Sequence, residues 1–461
     1  MKNYKLKLIL VLSTCFVLSC DNDFIELTSI SEASSDDFYK TSNDFENALI
    51  ASYDALQSND LYGQAFDRLV AIRADDAVDD NSSSSTRASD VDKFQESATN
   101  GFVNNAWRGT YIGISRANIV ISRIDQADFD SSTKSKLKAE AQFIRALLYF
   151  NAVRIWGAIP LILDEQTVLE VNQKIQDKTL IRNSIADVYA TIVEDLKFAE
   201  QNLPVSNSVG RATSYAAKAI LGRVYLTLGN HSAAEAKLNE VIVGENYQLL
   251  PNIADVFDVD NKGNDELIFV VAYDKNISGE GHAAWYSNNN FEIVSQSLKD
   301  KYNPIDRRLP LLETSAGTTG IIPNKFFDTE FQAQVGNDFP VIRFADVLLM
   351  RAEALNEIGY VPDGDAFSSL NQVRTRAGLT VYTATDLTNQ EEFRDAVLFE
   401  RELEFPLEHI RWPDLVRTGR AISVMAEVGL TITSNNLLFP VPQSEIEIIN
   451  NSTGFVQNPG Y

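Results

Sequence analysis

Three histidines (231, 282 and 409) and two cysteines (15 and 20) are all the chain offers to imidazole or thiol chemistry. No H-E-x-x-H pair, G-x-S-x-G elbow or P-loop occurs in it. Asp258, Asp260, Gly263 and Asp265 sketch a calcium loop, but Lys262 takes its fifth position and Phe269 stands where a bidentate Glu is required. That segment reads as a turn before a strand. The 64 acidic side chains offer many carboxylate pairs for glycosidase-type chemistry, with no separations legible from sequence. Nothing here calls for a metal, a cofactor or an enzyme. A different chemistry is suggested by Trp285 and Tyr286, adjacent aromatics in a polar loop and followed by Asn288, Asn289 and Asn290. Aromatic faces stack on the C–H faces of sugar rings, and amides bond to hydroxyls. Asp79, Asp80 and Asn81, in the acidic, Ser-rich stretch 75–90, are the second candidate contributors to such a ligand surface.

The densest charge cluster has another character. Glu400, Arg401, Glu402, Glu404, Glu408 and Arg411 fall at helical spacings, so the segment reads as an ion-pair-laced structural helix with Trp412 packed rather than exposed.

Helices must position these residues. Phe45, Leu49 and Tyr53 recur at a helical period, as do Tyr111, Ile114 and Ile121 within Trp107 to Ile124. Leu221-Gly222, Tyr225, a Gly229-Asn230 turn, then Ala234, Leu238 and Val241 reproduce the tetratricopeptide (TPR) spacing. There a small residue lets two helices approach closely and an aromatic fills the adjacent groove. The same small-to-large step recurs at Ala146/Tyr149, with Ile185, Val188, Ile192 and Leu196 as the partner helix. It recurs again at Ala352/Leu355, followed by Ala366, Leu370 and Val373. Leu267 to Tyr273, LIFVVAY, reads as a buried strand. The expected architecture is mainly α: TPR-like helical hairpins with irregular loops and a few short strands.

Composition sets the outer bounds. With 461 residues, 44% of them hydrophobic, the chain can bury a large core without disulfide or metal staples. A formal net charge of −24 makes phosphate backbones poor partners, so nucleic-acid binding is not expected. At the N-terminus, Lys2, Lys5 and Lys7 precede an apolar stretch from Leu8 to Leu18, too short to span a bilayer and suited to a secretory leader over 1–19. Val17-Leu18-Ser19-Cys20 resembles a lipobox, with Cys20 lipidated and residues 20–40 serving as a tether to a domain over 41–461. Losing the three leader lysines carries the charge from −24 to −27. The expectation is a hydrophilic body held to a membrane by its lipid anchor alone.

The sequence resembles the SusD/RagB family of Bacteroidetes outer-membrane lipoproteins. Glu400, Arg401, Glu404, Glu408, Arg411, Trp412, Asp414, Leu415, Arg417 and Gly419 match the family's strongest signature; His409 departs from its usual Gly and Pro413 from its usual aromatic. Pro340 to Gly359 and the ending FPVPQSEIEIINNSTGFVQNPGY are similar to family segments, and so, more weakly, are Ala139 to Ile162 and Asn264 to Tyr273. The resemblance implies four TPR-like units, at about 136–202, 211–243, 341–379 and 388–421. It further implies a surface-exposed, non-catalytic protein of the outer membrane that binds oligo- or polysaccharide. Such a protein delivers its ligand to a SusC-like TonB-dependent transporter. A peptide-binding member of the same fold is the alternative, with a surface glycoside hydrolase behind it. The matched motifs belong to the scaffold and carry over no ligand contact.

Overall fold

The computed structural model describes residues 38–79, 86–274, 276–277, 281–282, 292–312, 324–326 and 336–461. Helices α1 (Ser42–Gln57), α2 (Ala65–Val70), α3 (Thr86–Asp92), α4 (Gly101–Arg123) and α5 (Ser131–Trp156) open the fold. α1 starts at a capping box, Thr41 with Asp44, and buries Phe45 and Leu49 as their spacing predicts. α5 is buried on nearly all sides from Ala139 to Trp156, the mark of a helix at the centre of a helical body.

The remaining helices are α6 (Val168–Gln176), α7 (Ile185–Asn202), α8 (Ser214–Thr227), α9 (His231–Val243), α10 (Gln296–Lys299), α11 (Phe344–Ile358), α12 (Asp365–Arg376), α13 (Gln390–Glu404), α14 (Arg411–Arg417), α15 (Ala421–Glu427) and α16 (Gln443–Ile449). α7 packs on α5 through Val188, Ile192 and Leu196, while Ile185, expected on the same face, is 46% exposed. A buried ion pair, Arg145 Nε to Asp195 Oδ2 at 2.8 Å, crosses between the two helices. In α8 and α9 the small residue has the expected task. A Cβ on Gly222 would lie 2.7 Å from the Leu238 side chain, so any larger residue would force Leu238 to shift at that crossing. Gly229 turns the chain at φ +71°, and Asn230 caps α9 by accepting from the Ala233 amide. α11 and α12 repeat the hairpin with Ala352, Ala366, Leu370 and Val373 buried.

Four short strands complete the framework: β1 (Ala77–Asp79), β2 (Leu267–Val271), β3 (Glu292–Val294) and β4 (Phe339–Arg343). β2 pairs antiparallel with β4, and β1 with β3. The expected strand is therefore present, stopping two residues before Tyr273. Two expectations need correction. Residues 75–90 are not a continuous loop, since β1 and the start of α3 lie within them. And the signature helix does not run on to Glu408. α13 ends at Glu404 because Pro406 has no amide to donate and restricts the residue before it, and Leu407 and His409 then take left-handed φ angles of +64° and +59°.

The charges of that signature are largely buried, and apart from the Asp414–Arg417 pair within α14 they pair with distant elements rather than along their own helix. Arg343 binds Glu408 through Nε and Nη2 at 2.8 and 2.9 Å, and its Nη1 reaches Glu266 at 2.8 Å and Glu404 at 2.6 Å. Arg308 spans Glu400, Glu404 and Asp306, Arg374 takes the other oxygen of Glu400, and Arg376 pairs with Glu266 and Glu404. Arg401 joins Asp346 to Asp414, each at 2.6 Å, and Arg417 closes on Asp414 and Glu353.

Candidate ligand surface

The β1–β3 ribbon is where the two candidate ligand segments meet the body. Its register pairs Ala77 with Val294, Val78 with Ile293 and Asp79 with Glu292. Asn81 lies two residues after Asp79 in sequence, and Asn290 two residues before Glu292. The pairing thus brings the end of one candidate segment beside the end of the other. Trp285, Tyr286, Asn288, Asn289, Asn290, Asp80 and Asn81 themselves lie outside the described residues, as does Cys20. The ribbon sits on a second, smaller core: Ala77 and Val294 pack among Ile253, Phe257, Leu298 and Tyr302.

The ribbon's approach is fixed by charge. Arg411 grips Asp75 in a two-point clamp, Nε to Oδ1 at 2.7 Å and Nη2 to Oδ2 at 2.9 Å. Lys301 also binds Asp75, at 3.3 Å, and pairs with Glu402. Burial alone would raise the Asp75 pKa, but the hydrogen bond and charge of Arg411, with Lys301, hold it below its ordinary value. Ser295 stitches the opposite strand to the same place. Its hydroxyl donates to the Asp75 carbonyl at 2.6 Å, its amide donates to the Asp76 carbonyl at 3.0 Å, and it caps α10.

The described acids at the start of the 75–90 stretch have structural surroundings. Asp75 and Asp76 are buried, and Asp79, named as a ligand contact, is only 3% exposed. The Asp79 amide donates to Asp92 Oδ2 at 3.3 Å. The Asp92 carboxyl is pushed up to about 6, chiefly by burial, with the Asp79 charge adding to it. Asp76 is pushed up to about 7 by burial and then by Asp75. A carboxyl near pH 7 has the strength wanted of a general acid. Buried beneath the ribbon, however, Asp76 has no reach to a substrate.

The other end of the 283–291 segment is anchored at His282. This ring is buried against Phe326 and Phe339, at centroid distances of 4.9 and 5.2 Å. Burial, then the neighbouring His409, pulls its pKa down to about 3, so it is neutral at physiological pH. His409, at the left-handed position, places Nε2 2.6 Å from Asp67 Oδ1 and lies against Phe339. Trp412 is 4% exposed and packs on Phe94. Sequence reasoning missed the Asp75–Arg411–Lys301–Glu402 cluster, although the Asp75-Asp76 doublet was visible as an acid pair wanting a cation.

The helical fold that carries this ribbon has counterparts among known proteins. The profile of the SusD family matches residues 223–461, more than half of the chain. The chain belongs to the SusD family. A second profile, described as starch-binding associating with outer membrane, matches residues 23–226. Among curated SusD relatives, SusD-like protein P2 of Formosa agariphila is 27% identical, with 100% of both chains covered. Among solved structures, a laminarin-binding SusD-like protein is 28% identical with a TM-score of 0.76, over 92% of this chain and 100% of that one. A SusD superfamily protein from Parabacteroides distasonis is 25% identical with a TM-score of 0.79, over 91% of this chain and 100% of that one. The SusD signature, Glu400 to Gly419, therefore lies here in the buried charge network and in the clamp on Asp75.

Proposed function

We propose that this SusD-family chain binds neutral oligo- or polysaccharide at the outer-membrane surface, without catalysis, and passes it to a SusC-like TonB-dependent transporter. The observation that carries the reading is the Asp79–Glu292 pairing, which joins the acidic segment to the one bearing Trp285, Tyr286 and the three asparagines. Rings flanked by amides and carboxylates suit a ligand with apolar C–H faces and many hydroxyls. The laminarin-binding structure, similar over 92% of the chain, supports a glucan as the first ligand to try. The acidic body disfavours polyanionic glycans. Trp285→Ala and Tyr286→Ala are each expected to weaken glycan binding by about 1–3 kcal/mol, on the order of 10–100-fold. Calorimetry against a panel including laminarin and starch, with peptides alongside, checks this; wild-type affinity in both folded variants moves the site elsewhere.

The surface location rests on the lipobox-like Val17-Leu18-Ser19-Cys20 and on the outer-membrane association in the matched family description. Among the described residues no helix is long and apolar enough to cross a membrane. Cys20→Ala is expected to shift the protein from the membrane to the soluble fraction. Continued tight anchoring of that variant, read by fractionation and immunoblotting, would count against lipidation at Cys20.

A further inference from the structure

A cleft of about 200 Å³ lies away from the β1–β3 ribbon, between α5, α7 and α14. Phe66, Val70, Trp412 and Phe439 form apolar walls, and the half-exposed Ile185 stands at its rim. Two arginines line the cleft, the ion-paired Arg417 and Arg154. The Nε of Arg154 donates to the Phe150 carbonyl at 3.0 Å and its Nη2 to Asn151 Oδ1 at 2.7 Å. The guanidinium carbon lies 3.9 Å from the Phe150 ring centroid.

Its cationic neighbours are neutralised: Arg417 is paired with Asp414 and Glu353, and Arg223 with Asp346. Arg154 differs. Among the described residues no carboxylate lies within ion-pair distance of it, and Nη1 has no protein partner. The Tyr189 hydroxyl, in the same lining, likewise makes no hydrogen bond among the described residues. Burial, then the charge of Arg223, lowers the Arg154 pKa to about 10, the direction expected of a desolvated cation without a counter-ion. Arg154 is half-buried, and unlike the buried Arg145, Arg308, Arg343 and Arg401, each held by a carboxylate, it has none among the described residues.

We propose that the cleft binds a small aromatic monocarboxylate, its carboxylate on Arg154 with Tyr189 as second donor and its ring against the apolar wall to which Pro413, Val416 and Leu438 contribute. Size supports one ring and a short acid arm, since a cavity of about 150 Å³ takes a benzene ring. The apolar lining disfavours a sugar acid, whose hydroxyls would find few partners there. A guanidinium meets a carboxylate through two parallel N–H···O bonds, a geometry no neutral group reproduces. No described residue of the β1–β3 ribbon lines the cleft, and the proposal does not depend on the glycan reading.

The test uses the full mature chain with benzoate, phenylacetate and 4-hydroxycinnamate, each beside its neutral amide, followed by calorimetry and thermal shift. The acids should bind and raise the melting temperature, and each amide should bind about tenfold or more weakly. Arg154→Met should erase the preference for acid over amide, and Ile185→Trp, which narrows the mouth, should weaken both. The acid-to-amide comparison on the wild-type protein stands even if a variant folds poorly. No acid binding to the wild type, equal binding of acid and amide, or undiminished acid binding in folded Arg154→Met would each overturn the proposal.

Discussion

Replacing Arg343 by methionine is expected to cost about 3–5 kcal/mol of folding stability, because it strips a buried cation from three carboxylates at once. Glu266, Glu404 and Glu408 all hydrogen-bond to this guanidinium, and all three are at most 3% exposed. Arg376 and Arg308 still face Glu404, so that acid keeps partial compensation. Among the described residues Glu408 retains only Lys325 as a cation. The double variant Arg343→Met with Glu408→Gln should therefore be more stable than Arg343→Met alone, since it removes the acid left most exposed to the loss. Urea unfolding of the two single variants and the double one measures this as a coupling energy. Additive effects would mean that Arg343 and Glu408 contribute to stability without interacting, against the pairing described. The network joins β4, α12, α13 and the turn after α13, so its loss is felt across the C-terminal hairpins and beneath the ribbon.

The helical hairpins were legible because their signal is local. Gly222 sits one helix away from Leu238, and the small-to-large spacing that marks such a crossing falls within a few turns of sequence. The same holds for LIFVVAY, whose apolar β-branched run can only be buried. The charge network was visible as composition but not as architecture. Arg343 and Glu408 are 65 residues apart, and Asp75 and Arg411 are 336 apart, distances at which helical periodicity says nothing. The economical reading, charges paired at i and i+4, therefore assigned the right residues to a structural role through the wrong partners.

The candidate ligand surface shows the same limit from the other side. The types of Trp285, Tyr286 and the three asparagines suggested a sugar surface, and those of Asp79, Asp80 and Asn81 suggested polar side chains free to meet it. Only the β1–β3 register relates the two segments, and only burial shows that Asp79 faces inward. An acidic, serine-rich stretch reads as solvated unless the arginine that closes on it is known.

Acid should unfold this protein steeply below about pH 4, and the carboxylates that cause it are identifiable. Burial alone would raise Glu404, yet Arg376, Arg343 and Arg308 bring it down to about 2; Arg401 and Arg417 do the same to Asp414, also about 2. A carboxyl with a depressed folded pKa stabilises the fold fully above its unfolded value, near 4, and loses that contribution as pH falls towards 2. The loss is on the order of 3 kcal/mol from Glu404 and 2 kcal/mol from Asp414. His282, held at about 3, acts in the same direction from its unfolded value near 6.5 downward, because the unfolded chain takes up a proton that the buried ring refuses. Asp76 and Asp92 have the opposite sign. Raised to about 7 and about 6, they favour the fold most below pH 4 and lose that contribution as pH rises through those values. Between about pH 4 and 6 the two acids together gain on acidification about twice what His282 loses, so a net gain remains, and below about pH 4 nothing opposes the loss from the arginine-held carboxylates. The urea midpoint of the wild type should therefore rise modestly from pH 7 to 5 and fall sharply below about pH 4. Asp76→Asn, which leaves Asp92 and His282 nearly balanced, should flatten that rise, while His282→Gln, which leaves both acids unopposed, should steepen it. If neither variant changes the slope, the dependence above pH 5 does not arise from these buried groups, and a wild-type midpoint that stays level down to pH 3 would remove the arginine-held carboxylates as the source of acid sensitivity.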